Sequence, residues 1–142
     1  MSSISIKTTV GKSTREGFGT VTPYLIVQKI DPFDAFLTKA FGAKETHRSQ
    51  GSGGGWHCEV QIGDSDLGGS IMIGGDQVSG GKTVPATMML YVENADDVFQ
   101  SAVAAGAKVE MDVQDGFAGP GSRGGSVIDP FGFTWYLATE TN

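Results

Sequence analysis

His57 and Glu59 stand two residues apart in Trp56-His57-Cys58-Glu59-Val60-Gln61, a run rich in strand formers. Side chains alternate along a strand, so His57 and Glu59 share one face while Cys58 points to the other. A His beside a carboxylate can bind a metal, hold a ligand through hydrogen bonds, serve as a general base toward a bound carbonyl compound, or simply face water. Two ligands are too few for a firm metal site, and a third would have to come from Gln61, water or another chain. Cys58 is the single cysteine; it has no internal disulfide partner, and in an alternating strand it reads as packing.

The elements that position this pair belong to a chain of 142 residues, 39% hydrophobic and 18% charged. That suits one globular domain or two small fused modules. No stretch approaches the roughly 20 apolar residues that cross a bilayer, and the first 20 residues lack the apolar run of a signal peptide. The expectation is a soluble, cytoplasmic protein. A formal charge of −6 and a pI near 4.7 argue against nucleic acid or an anionic membrane as partner, because both reward clustered Lys and Arg. A small molecule is the default partner.

The 22 glycines crowd at 51–55, 63–81 and 116–125, marking loops and tight turns between short elements. Residues 1–17, rich in Ser, Thr and Lys, read as a flexible N-terminal arm or a loosely docked extension. The rest carries an internal repeat. The segment YLIVQKIDPFDAFLTKAFGAKE from Tyr24 is echoed by MLYVENADDVFQSAVAAGAKVE from Met89, offset by 65 residues. In each copy an apolar strand leads through a capping Asp, Asp31 or Asp96, into an amphipathic helix that closes with Gly-Ala-Lys. Phe33, Phe36, Leu37, Ala40 and Phe41 form one helical stripe, and Val98, Phe99, Ala102 and Val103 the other.

Period-two patterns follow each helix. The first half gives a strand ending near His47, another from Trp56 to Ile62, a turn at Gly63-Asp64-Ser65-Asp66 and a strand at Ser70 to Ile73. The second gives strands at Lys108 to Val113, Ser126 to Ile128 and Phe133 to Ala138, with a turn at Asp129-Pro130-Phe131-Gly132. The result is an α+β fold of two tandem βαβββ modules, at about 20–80 and 84–140, within one domain spanning 18–142.

A sheet with a helix on one face leaves its other face free, and two such sheets can curve into a cup. With Leu25, Val27, Leu90 and Val92 on the helices, parity turns Tyr24, Met89 and Tyr91 toward the cup. His57, Glu59, Gln61, Ser70, Met72, Thr134 and Tyr136 join them, whereas His47 falls outside the cup strands. Ligand-binding candidates are therefore Tyr24, Trp56, His57, Glu59, Met89, Tyr91 and Tyr136. Phe117 is a possible lid in a glycine-hinged loop, and Arg123 is placed to hold a carboxylate or phosphonate. The alternative for Arg123 is an ion pair with Asp129 or Asp115.

The segments VTPYLIV, AFGAKE, WHCEVQIGDS, LYVENADDVF, AAGAKV and DPFGFTWYLATE, in this order from about Gly17 to the C-terminus, resemble the vicinal-oxygen-chelate superfamily. That superfamily includes glyoxalase I, extradiol dioxygenases and bleomycin-resistance proteins, and the likeness is greatest to its PhnB-like branch. The resemblance implies a cup-shaped curved sheet (glyoxalase-like fold), a small-molecule ligand, a homodimer and, in many members, a divalent metal. The metal positions carry over to Thr22, Met72, Thr87 and Tyr136, none a normal ligand for such an ion. No cofactor is therefore expected. The branch also has a His where this chain has Met89, a soft side chain suited to an apolar ligand or to core. Three functions stay open: a metal-free binding protein of the bleomycin-resistance type; a lyase, isomerase or dioxygenase, with or without a metal, using His57 and Glu59 as catalytic candidates; and a structural, dimer-forming subunit.

Overall fold

In the computed structural model, residues 14–64, 66, 69–77 and 80–140 are described. Most of the arm expected at 1–17, and Ser65 of the expected turn, lie outside them. Strand β1 (Tyr24–Ile26) leads into helix α1 (Ile30–Phe41), followed by β2 (Lys44–Gln50), β3 (Trp56–Gln61) and β4 (Ser70–Gly75). The second module repeats the order with β5 (Thr87–Tyr91), α2 (Ala95–Ala104), β6 (Lys108–Asp115), β7 (Ser122–Ile128) and β8 (Thr134–Glu140). The strands form two four-stranded sheets, ordered β1-β4-β3-β2 and β5-β8-β7-β6. In each, the first strand runs parallel to the last and the other pairings are antiparallel.

The helices form where expected but are capped by other residues. The first backbone N–H of α1, on Ile30, donates to Asp76 Oδ2 at 3.1 Å, from the segment after β4, while Asp31 lies inside the first turn. Helix α2 is capped by Asn94, whose Oδ1 accepts from Asp97 N at 3.1 Å. A cap must lie just before the helix with extended backbone, and that residue is Asn94 rather than Asp96. Gly42, with φ of 69°, ends α1 in the left-handed conformation that Gly adopts without strain.

The expected stripe of α1 is buried except for half-buried Phe41, together with Leu25, Val27, Cys58, Val60, Ile71 and Ile73. In the second module Val127, Phe133, Trp135 and Leu137 are buried, while Val103, expected on the α2 stripe, is exposed. The two helices pack against each other, so both modules share one core. Phe33 stacks on Phe133 at 5.0 Å between centroids and meets Phe131 edge-on at 5.3 Å. Asp129, in the DPFG turn, is buried. It accepts from Phe131 N at 2.8 Å, Phe133 N at 3.0 Å and the Trp135 indole at 2.9 Å.

Strands in both modules run past the bounds their patterns indicate, β6 to Asp115 and β8 to Glu140 among them. β2 continues past His47 to Gln50, β4 reaches Gly75, and β7 begins at Ser122 within the expected glycine loop. Glycine in β7 answers a steric need. A Cβ on Gly124 would lie 2.1 Å from the Leu137 carbonyl oxygen, and one on Gly125 would lie 2.6 Å from that of Met111. No helix among the described residues is long and apolar enough to cross a membrane.

Candidate functional site

With the apolar sheet faces turned to the shared core, the opposite faces look outward. On the first sheet β3 presents His57, Glu59 and Gln61, with Tyr24 on β1 and Met72 on β4 in register beside them. His57 Nε2 lies 2.8 Å from Glu59 Oε2, and His57 Nδ1 lies 3.2 Å from Tyr24 Oη. An ionised carboxylate only accepts, so Nε2 carries the proton of the first contact. In the neutral ring Nδ1 then accepts from the Tyr24 hydroxyl. Gly74 makes room for this arrangement, since a Cβ there would come within 3.0 Å of the Tyr24 ring and hydroxyl.

Glu59 has a second partner that local sequence reading did not find. Arg15 Nε donates to Glu59 Oε1 at 2.8 Å, although the two residues are 44 apart in the chain. The Glu59 side chain is only 4% exposed, whereas that of Arg15 is 52% exposed. Burial pushes the Glu59 carboxyl up, but the hydrogen bonds from His57 and Arg15, and their charges, outweigh it and hold the group below its ordinary value. A carboxyl whose pKa is depressed in the folded state contributes stability that is fully present above its unfolded pKa, about 4.3. That contribution is lost as the pH falls through the lower folded value. Denaturation midpoints measured across pH 2 to 7 should therefore fall less on acidification in Glu59→Gln than in the wild type.

His47 also belongs to this face, contrary to the sequence expectation. A β-bulge between Glu45 and His47 inserts Thr46, whose hydroxyl donates to the Glu59 carbonyl at 3.2 Å. The extra residue reverses the alternation, placing His47 opposite Glu59 and Ser49 opposite His57. The His47 and His57 rings are 6.3 Å apart. A cavity of about 480 Å³ at this end is lined by Arg15, Glu16, Gly17, Phe18, Thr46, His47, Glu59, Gln61 and Ser70. A smaller one of about 250 Å³, at the other end of β3, is lined by Tyr24, Trp56, His57, Gln77 and the glycine turn 51–55. Trp56 lines it from the end of the strand, because in register it belongs to the helix-side set with Cys58 and Val60.

The second sheet's open face is apolar. Tyr136 is in register with Met89 and Ser126, and Ser126 with Met111, while Tyr91 and Ile128 follow the same alternation. Met89, Tyr91, Met111, Ile128 and Tyr136 are all exposed, Tyr91 by 65%. Phe117 packs edge-on against Tyr136 at 5.6 Å. One chain therefore gathers Tyr24, Trp56, His57 and Glu59 in one place and Met89, Tyr91, Phe117 and Tyr136 in another. A third cavity, a groove of about 740 Å³ between the modules, includes Phe41, Ile62, Leu90, Val98 and the rim residues Met89 and Tyr91.

Arg123 lies on neither open face. Its Nε and Nη2 donate to Asp96 of α2 at 2.8 and 3.0 Å, and its Nη1 donates to Asp115 at 3.0 Å. The side chain thus points to the helix side of β7, where two carboxylates satisfy it, and the expected role over the cup mouth is withdrawn. The alternative pairing with Asp115 holds, whereas Asp129 is committed to its own turn.

Cys58 is fully buried on the helix side and donates to Glu45 at 3.3 Å. Burial and the neighbouring carboxylate push its thiol up to about 12, which keeps it protonated and unreactive. Asp34, Glu45 and Cys58 place ligand atoms within 4.8 Å of one another. Arg48, however, holds Glu45 through Nη2 at 2.7 Å, supplying the positive charge there. The superfamily's metal positions offer a hydroxyl bonded to its own turn (Thr22 to the Gly19 carbonyl, 3.1 Å), a thioether, a second hydroxyl and a phenol. This donor set does not fit a divalent ion of the glyoxalase type.

Comparison with known proteins supports the architecture. No family model matches the chain. An uncharacterised protein of Mycobacterium bovis, Mb0911c, is 34% identical over 128 residues, covering 82% of this chain and 80% of that protein. Among solved structures, TioX from Micromonospora sp. ML1 aligns over 84% of this chain and 94% of its own, with a TM-score of 0.62 and 24% identity. Glyoxalase I from Zea mays aligns over 84% of this chain and 43% of its own, with a TM-score of 0.69 and 13% identity. At these identities the likeness to the solved structures is one of fold.

Proposed function

The chain belongs to the vicinal-oxygen-chelate superfamily, and on that premise we propose that it binds a small organic molecule on the open face of its first sheet, as a metal-poor member of the PhnB-like branch. The observation that carries this reading is the hydrogen-bonded chain from Tyr24 through His57 to buried Glu59, running between two cavities. A buried carboxylate committed in this way costs desolvation and holds the His57 ring in one geometry, which suits recognition better than general solubility. A homodimer completes the site, the apolar face of one copy covering the polar face of the other. The exposed cluster of Met89, Tyr91, Met111, Ile128 and Tyr136 supports that cover, because a patch of this kind favours burial.

One feature favours a second reading, an enzyme of the lyase, isomerase or dioxygenase type. A carboxylate that fixes a His through one ring nitrogen leaves the other as a proton acceptor. In that reading His57 Nδ1 is the base once the Tyr24 hydroxyl yields its place, and Glu59 positions the ring. Glu59 itself is a poor base, because its oxygens are taken by Arg15 and His57 and its acidity is increased.

A melting-temperature screen of small aromatic and carbonyl-bearing fragments tests the binding claim. A native-state ligand at about 100 times its Kd adds roughly 2.7 kcal/mol. His57→Ala should weaken the hits at least tenfold. Hits untouched by His57→Ala and Tyr24→Phe but lost on Val98→Asp, in the groove between the modules, would overturn it.

A further inference from the structure

Resting on the reading of this face as a ligand site, we propose that its larger cavity takes an oxyanion, the carboxylate or phosphonate group of the ligand, and that Arg15 is the residue that selects it. The argument is an accounting of polar groups already committed. Glu59 spends both oxygens, on His57 and Arg15. The Thr46 hydroxyl is spent on the Glu59 carbonyl, and the Gln61 amide nitrogen donates to the Gly63 carbonyl at 2.7 Å. Arg15 commits only Nε, so among the described residues Nη1 and Nη2 have no hydrogen-bond partner, and the side chain is half exposed. The His47 ring nitrogens and the Ser70 hydroxyl, lining the same cavity, are likewise unspent among the described residues.

What remains is a set of donors, a guanidinium edge, an imidazole and a hydroxyl, beside two acceptors, the exposed Glu16 carboxylate and the Gln61 amide oxygen. A guanidinium held at Nε by a buried carboxylate presents its two outer nitrogens as a planar fork, which matches the paired oxygens of a carboxylate or phosphonate. Glu59 thus fixes Arg15 instead of meeting the ligand. The chain's charge of −6 opposes an anion at long range. Salt screens that repulsion beyond about 8 to 10 Å, which leaves the close donors to decide. Phe18, in the same wall, offers a ring against which the organic part of the ligand can pack.

The test uses four probes built on one ring: benzoate, phenylphosphonate, benzamide and benzylamine, titrated by calorimetry into the full chain. Benzoate or phenylphosphonate should bind at least tenfold more tightly than benzamide, and which of the two leads identifies the oxyanion. Arg15→Gln should abolish that preference, and His47→Ala should reduce it. Arg15→Lys keeps a cationic partner for Glu59, so it should remain folded while losing most of the preference with the fork. Benzamide or benzylamine binding as tightly as benzoate would overturn the oxyanion assignment while leaving the face a ligand site. So would a preference for anions that survives Arg15→Gln and Arg15→Lys. Failure of all four probes to bind also overturns it, and His57-dependent hits in the fragment screen would then show that the site itself stands.

Discussion

Phe33→Ala is expected to be among the most damaging single substitutions in the protein, costing about 3 to 5 kcal/mol of folding stability. Phe33 is fully buried and sits where the modules meet, its ring stacked on Phe133 and edge-on to Phe131. Deleting it opens a cavity between α1 and the turn that precedes β8, and neither rigid partner ring can collapse fully into the space. In a chain of this size the loss corresponds to a fall in melting temperature of about 10 to 15 °C. Urea denaturation gives the free energy directly. A cost below about 1 kcal/mol, the range of ordinary substitutions, would mean that the modules are held together elsewhere.

Asp129→Ala should approach the same size for a different reason. The carboxylate accepts from two backbone N–H groups of its own turn and from the Trp135 indole, all in a buried setting. Burial pushes the carboxyl up, while these donors work in the opposite direction. Removing the acceptor strands the donors, each worth about 1 to 3 kcal/mol when left unsatisfied, and a total near 3 to 5 kcal/mol allows for partial entry of water. Trp135→Phe removes one donor instead of the acceptor and should cost less. The double variant should be less destabilised than the sum of the two, because the stranded indole N–H is then absent. Additive costs in urea denaturation would contradict this account of the turn.

Much of the fold and of the candidate site was legible because alternation and repetition are local signals. The parity argument separated Leu25, Val27 and Val60 from Tyr24, His57 and Glu59, and burial follows that division except at Glu59, which is buried on the open face between His57 and Arg15. What escaped depends on events that leave no local trace. A one-residue bulge at Thr46 carried His47 onto the open face, and nothing in Lys44-Glu45-Thr46-His47-Arg48 announces it. Arg15 reaches Glu59 across 44 residues from a segment whose composition suggested a loose extension. Asp96 was not among the partners expected for Arg123, because it comes from α2, which only the packed structure brings beside β7. Glycines at 124 and 125 read as loop, since composition alone does not distinguish a glycine that turns the chain from one that lets two strands approach. The superfamily resemblance identified the module order but did not state which faces meet within one chain.

The claim that the first sheet's open face is the ligand site is tested most directly by a crystal structure of the protein with the tightest hit from the fragment screen. The account predicts ligand density against Tyr24, His57 and the cavity beside Glu59, covered by Met89, Tyr91 and Tyr136 of a second copy. Density confined to the groove between Phe41, Leu90 and Val98, with the Tyr24–His57–Glu59 face bare, would contradict it.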